Sequence, residues 1–113
     1  MTAPIEETWM HHIRQLAPLI EKTEYEVIKC DAEVKKLLAT LKLKALSTGV
    51  KTTSGQETLA ESDGELYDAR LRVGVAKGAL AALKVKLKAL EVGFEEWRSK
   101  MVNDREERRR YGA

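Results

Sequence analysis

The sequence predicts an all-α protein, an antiparallel two-helix coiled-coil hairpin that assembles into a homo-oligomer. Three observations predict it. A large apolar side chain returns every seventh residue at Leu59, Leu66, Val73, Leu80, Leu87, Phe94 and Met101, and Ser62, Ala69, Ala76, Leu83, Leu90 and Trp97 follow three residues later. That is an a/d seam held over six heptads, where three or four suffice. A matching row runs through the first half of the chain: Trp9, Ile13, Leu16, Ile20, Thr23, Val27, Cys30, Val34, Leu37 and Leu41, alternating steps of 4 and 3. Composition agrees, because 34% charged and 5% aromatic residues suit long solvated helices better than a globular enzyme.

The elements follow in order. At 113 residues there is room for one domain, 1–113. Pro4 suits the first turn of helix 1, expected over about 4–46. Pro18 falls on the outward side of the first row, and a kink or break is expected near Ala17. Residues 47–57 (STGVKTTSGQE) are the connector, with Gly49 and Gly55 supplying turn chemistry. Ser54 and Glu57 have capping-box spacing, and Thr58 with Glu61 and Ser62 with Glu65 repeat it, so the start of helix 2 stays open within these positions. Helix 2 is expected over about 58–109, its seam from Leu59 to Met101 spanning about 65 Å at 1.5 Å per residue. Tyr111, Gly112 and Ala113 read as a frayed end.

Two long helices joined by a short connector return antiparallel. One constant register then pairs Leu41 with Ser62, Leu37 with Leu66, Cys30 with Val73, Ile20 with Leu83 and Trp9 with Phe94. The flanking charges agree, with Glu24 near Lys77 or Lys84, Asp31 near Arg70 and Glu33 near Arg72. Exposed pairs contribute only about 0.2–1 kcal/mol each, so they select orientation. Burial of each seam side chain, about 1.5–3 kcal/mol, is the larger effect.

Helix 2 carries a second apolar stripe. Leu71, Val75, Gly78, Ala82, Val85, Ala89 and Val92 recur at steps of 4 and 3 opposite the seam, where a hairpin alone leaves them in water. Gly74 and Gly78 have the spacing that lets two helix backbones approach, at about 1 kcal/mol per helical glycine. Homo-oligomerisation through Leu71–Val92 is the expectation.

Catalytic and metal chemistry find little here. His11 and His12 are adjacent on a helix, point about 100° apart and do not share an ion. Cys30 is a seam residue that packs as a small apolar group; as a single cysteine it excludes an internal disulfide and fits a reducing compartment. There is no Ser/His/Asp set, phosphate-binding glycine loop or H-E-x-x-H motif. No enzymatic activity, no cofactor and no metal are expected. The opening MTAPIEETWMHH is polar and unlike a secretory signal, and no apolar run approaches 18 residues, so a cytoplasmic protein without membrane partners is expected.

Net charge is only +2, but the charges fall in blocks. Residues 35–51 hold Lys35, Lys36, Lys42, Lys44 and Lys51 without an acid; residues 77–90 hold Lys77, Lys84, Lys86 and Lys88 without an acid. Arg98, Lys100, Arg105, Arg108, Arg109 and Arg110 crowd the C-terminal end, mixed with Asp104, Glu106 and Glu107. Pooled in an oligomer, such patches bind single-stranded nucleic acid in a salt-sensitive, sequence-independent way. Candidate nucleic-acid-binding residues are Lys42, Lys44, Lys51, Lys84, Lys88, Arg105, Arg108, Arg109 and Arg110. The 35–51 block faces Glu61, Asp63, Glu65 and Asp68 in the expected register, and ordinary solvated faces would look the same.

The segment KKLLATLKLKALSTG (35–49), a lysine-rich helix end entering a glycine-containing loop, precedes a long helix ending LEVGFEEWRSKMVNDREERRRYGA (90–113). This layout resembles small helical-hairpin proteins of bacteriophages, and among functional families the UvsY-type recombination mediators. The resemblance implies an oligomer that binds single-stranded DNA and helps load a recombinase onto strands covered by single-strand-binding protein, in a host cell cytoplasm if phage-encoded. Lys42, Lys44 and Lys51 then take the place of that family's basic residues. The expected function is an accessory protein of DNA recombination or replication. The alternative is a structural or adaptor coiled coil whose partner is another protein, such as an inhibitor of a host factor.

Overall fold

The computed structural model describes residues 5–112, so the expected role of Pro4 and the terminal Ala113 lie outside the described residues. These residues form three α-helices and no strand: α1 (Ile5–Ser47), α2 (Thr53–Glu61) and α3 (Gly64–Tyr111). By its contacts the chain divides into two units, one of the described residues up to Ile20 together with those from Ala82 onward, the other Glu21–Ala81.

α1 runs unbroken through Pro18, so no break occurs near Ala17. The proline ring sits on the exposed side, away from the seam, and the flanking Leu16 and Ile20 are turned inward. The ten seam positions of α1 are buried or half-buried, Leu16 and Cys30 most completely. Heptad spacing thus identifies the inward side of the helix.

α1 ends in a Schellman motif. The Gly49 N–H donates to the Leu46 carbonyl and the Val50 N–H to the Ala45 carbonyl, both at 3.1 Å. Gly49 has φ +102°, the left-handed conformation this motif requires and glycine adopts without Cβ strain. Buried Ala45 and half-buried Val50 occupy the positions that normally make the motif's hydrophobic contact. The Gln56 side-chain amide then donates to the Val50 carbonyl at 2.9 Å, tying the turn to α2.

The connector is shorter than expected, because α2 begins inside it. Thr52, not Ser54, is the N-cap: its hydroxyl accepts from the Gly55 N–H at 3.1 Å. Nor is the second half one helix from residue 58. α2 closes at Ser62, and Asp63 opens α3 by accepting from the N–H groups of Glu65 (2.8 Å) and Leu66 (3.2 Å) through Oδ1. The interruption changes which side chains turn inward. Ala60 is buried while Leu59 and Ser62 are exposed, so the seam begins at Leu66, the most deeply buried large side chain described. From Leu66 to Trp97 every expected seam position is buried or half-buried, and Met101 is exposed. The helical end reaches Tyr111, beyond the expected Arg109.

Within the unit of Glu21–Ala81, Arg70 makes a two-pronged contact with Glu61, including Nη2 to Oε1 at 2.7 Å. This corrects the expected pairing of Arg70 with Asp31: the bend at Ser62–Asp63 brings the α2 carboxylate to Arg70. Lys42 pairs with Glu57 at 3.7 Å. Within the other unit, the Trp9 ring lies over Gly93, where a Cβ would stand 2.8 Å from the ring. Phe94 and Trp97 stack at 6.1 Å between centroids, and the Arg98 guanidinium sits 5.9 Å from the Phe94 ring.

Candidate functional site

The expected surfaces are best built from the exposed sides of α1 and α3, because the inward sides are occupied by the apolar seam positions. Leu71, Val75, Gly78, Ala82, Val85, Ala89 and Val92 are all exposed. Of the larger ones, Val75 at 74% and Val85 at 70% are well out in solvent, and Leu71 at 51% and Val92 at 43% are about half covered. A Cβ built on Gly74 or Gly78 meets no atom within 4 Å, so nothing in a single chain makes use of the missing side chains. The stripe divides between the two units, Leu71, Val75 and Gly78 in one and Ala82, Val85, Ala89 and Val92 in the other, and within each the helical spacing puts these positions on one side of α3.

The nine candidate basic residues divide between the two units. Lys42, Lys44 and Lys51 belong to the unit of Glu21–Ala81, where Lys42 is half-buried and engaged with Glu57, and Lys44 and Lys51 are exposed. Lys84 and Lys88, Arg105 and the run Arg108–Arg110 belong to the other, and all are exposed. Lys84 and Lys88 are four residues apart and share a side of α3, as do Arg105, Arg108 and Arg109. The three terminal arginines occupy the last turn of α3, where cations complement the helix dipole. Arg108 shares a shallow hollow with Asp104, Glu107 and Tyr111, so acids are interleaved with this block.

Cys30, Glu61 and Arg70 are titratable groups whose surroundings shift them. Burial raises the Cys30 thiol above its ordinary pKa, and Glu26 and Glu33 add to the rise while Arg72 opposes it. The Cys30 Sγ lies 3.7 Å from Glu26 Oε1. A thiol held protonated in this way is not a nucleophile at neutral pH. The Arg70 hydrogen bond holds the Glu61 carboxyl below its ordinary value, and the same bond raises Arg70. The exposed His11 and His12 rings stand 6.0 Å apart and tilted by 59°. Among the described residues no group of three or more His, Cys, Asp or Glu side chains is gathered as a metal site needs. None of the described helices is long and apolar enough to cross a membrane.

An open hollow of about 900 Å³ lies along the far half of α3, where Ile13, Val92 and Phe94 meet Lys88, Glu91, Glu95 and Lys100. Its rim mixes both signs of charge. Heptad analysis did not single it out, because its residues come from the outward as well as the inward side of the helix. No family model, curated protein or solved structure matches this chain.

Proposed function

We propose that the chain is a non-enzymatic, homo-oligomeric helical hairpin that binds single-stranded nucleic acid, as an accessory protein of DNA recombination or replication. The observation that carries the assembly is the exposure of the whole second stripe of α3. Seven consecutive stripe positions, four of them large and apolar, stand in water on a chain of 113 residues. Exposed single apolar residues are ordinary, but a continuous apolar side on one helix is a contact surface. Two helical glycines that no side chain of the same chain exploits fit the close approach of a second helix.

Pairing of α1 with α3 as an antiparallel hairpin is supported by contacts inside each unit. Trp9 meets Gly93, one residue from the Phe94 that the register names, and Arg72 acts on Cys30 one residue from the expected Val73. Assembly multiplies the exposed Lys and Arg, and counterion release then makes a weak site for phosphate effective. The layout shared with UvsY-type mediators points the same way, toward single-stranded DNA with recombinase and single-strand-binding protein as partners.

The test is a titration of a labelled oligonucleotide at low and moderate salt. Micromolar binding with a steep salt slope, weakened when Arg108, Arg109 and Arg110 are replaced by Ala, is the expected result. Absence of binding at low salt overturns the nucleic-acid reading. It leaves the second one, favoured by the same exposed stripe: an adaptor whose α3 receives the helix of another protein.

A further inference from the structure

The outward side of α1 carries a charge arrangement that the block analysis of the sequence divided and so missed. At 3.6 residues per turn, Tyr25, Ala32 and Ala39 follow one another along a single line of α1. Lys29 and Lys36 lie on one side of that line, Lys35 and Lys42 on the other, and Lys22 extends the first row. Successive lysines of the first row are seven residues apart, about 10 Å along the axis. Lys22, Lys29, Lys35 and Lys36 are exposed, as are both alanines, and Tyr25 is 66% exposed.

Between Lys22 and Leu46 the acids stay off the two lysine rows, although Glu26, Asp31 and Glu33 flank them at three or four residues, and Glu21 stands in line with Lys35 and Lys42 at the N-terminal end of this side. The four acids of this stretch, Glu24, Glu26, Asp31 and Glu33, are turned toward the flanks of the seam, and Glu26 and Glu33 act on Cys30. The separation of charge by side is much cleaner here than at the C-terminal end, where Asp104, Glu106 and Glu107 alternate with the arginines. A double row of lysines with a low floor of alanine, its acids confined to the flanks and to Glu21 at one end, is a track for a chain of phosphates. An exposed tyrosine at its end offers a face on which a base stacks. A membrane surface fits less well, because the large exposed apolar side chains of this side, Ile28, Leu43 and Leu46, stand toward its ends, and the floor between Ile28 and Leu43 presents only alanine methyls to bury.

We infer that this side of α1, with Lys22, Lys29, Lys35 and Lys36 holding phosphates and Tyr25 stacking a base, is the principal track for single-stranded nucleic acid. The inference rests on the nucleic-acid reading given above and locates its site. The track lies wholly within Glu21–Ala81.

Fluorescence anisotropy with a labelled single-stranded oligonucleotide, at several salt concentrations on the full chain, tests it. Replacing Lys29, Lys35 and Lys36 together by Ala is expected to weaken low-salt binding at least about tenfold. The slope of log K against log salt should fall by about 2, three contacts at about 0.7 each for a single strand. Replacing the same three by Arg retains binding, and Tyr25→Ala weakens it several-fold. All four side chains are exposed, and unchanged helical circular dichroism in each variant separates lost binding from lost folding. Retained binding in the triple Ala variant, or a larger loss on replacing Arg108, Arg109 and Arg110, overturns the inference while the nucleic-acid reading stands. No binding by the unaltered chain overturns both. Capture on phosphatidylserine vesicles without binding to the oligonucleotide overturns both as well, in favour of a lipid surface.

Discussion

Gly49 shows how much one backbone angle decides. Its φ of +102° lets the Val50 N–H reach the Ala45 carbonyl, and that bond turns the chain from α1 toward α2. An L side chain in the left-handed region costs about 1–2 kcal/mol. Gly49→Ala is therefore expected to lower the unfolding free energy by about 1 kcal/mol, read from urea denaturation, with helical content unchanged. A neutral or stabilising effect would mean that the turn does not depend on this conformation. The glycine's role as a turn residue was legible from its neighbours Ser47 and Thr48, because serine, threonine and glycine have local reasons to leave a helix. The capping residue was not. Thr52 and Ser54 both carry a hydroxyl able to accept the capping hydrogen bond, and only the placement of the Gly55 N–H against Thr52 decides between them.

At the scale of elements, heptad periodicity reported which side of a helix is apolar, and did so well from Trp9 to Leu41 and from Leu66 to Trp97. It did not report continuity of the backbone. Ser62 holds its place in the repeat, yet α2 ends there and Asp63 starts a new helix. The signal was present in Asp63-Gly64, a strong cap followed by a weak helix former, but the unbroken repeat outweighed it. The bend is held by Arg70 and Glu61, and this pair gives the junction a pH dependence. Glu61 has its carboxyl pKa depressed below the ordinary 4.5 by the Arg70 hydrogen bond. A depressed carboxyl contributes stability that is present above its unfolded value and lost as pH falls through the folded one. The unaltered chain should thus melt above Glu61→Gln at pH 7, and the gap should close as pH falls below about 4.5. A gap that stays constant down to pH 3 would contradict the assignment. Basic side chains were harder to assign than apolar ones. Runs along the sequence drew attention to residues 35–51 and the terminal arginines, whereas Lys22 and Lys29 join Lys36 only when the helix is viewed by side.

For the molecule as a whole, the decisive feature is the side of α3 that the chain does not cover for itself. Val75 and Val85 are mostly in solvent in a single chain and Leu71 and Val92 about half so, yet all four are apolar. Gly74 and Gly78 weaken α3 without relieving any contact within it. The proposed second copy would account for both. Sedimentation equilibrium or light scattering on the full chain at tens of micromolar measures this directly. The account predicts a multiple of 12.7 kDa, reduced toward 12.7 kDa by Gly78→Glu while circular dichroism stays helical. A mass of 12.7 kDa for the unaltered chain at that concentration would contradict it.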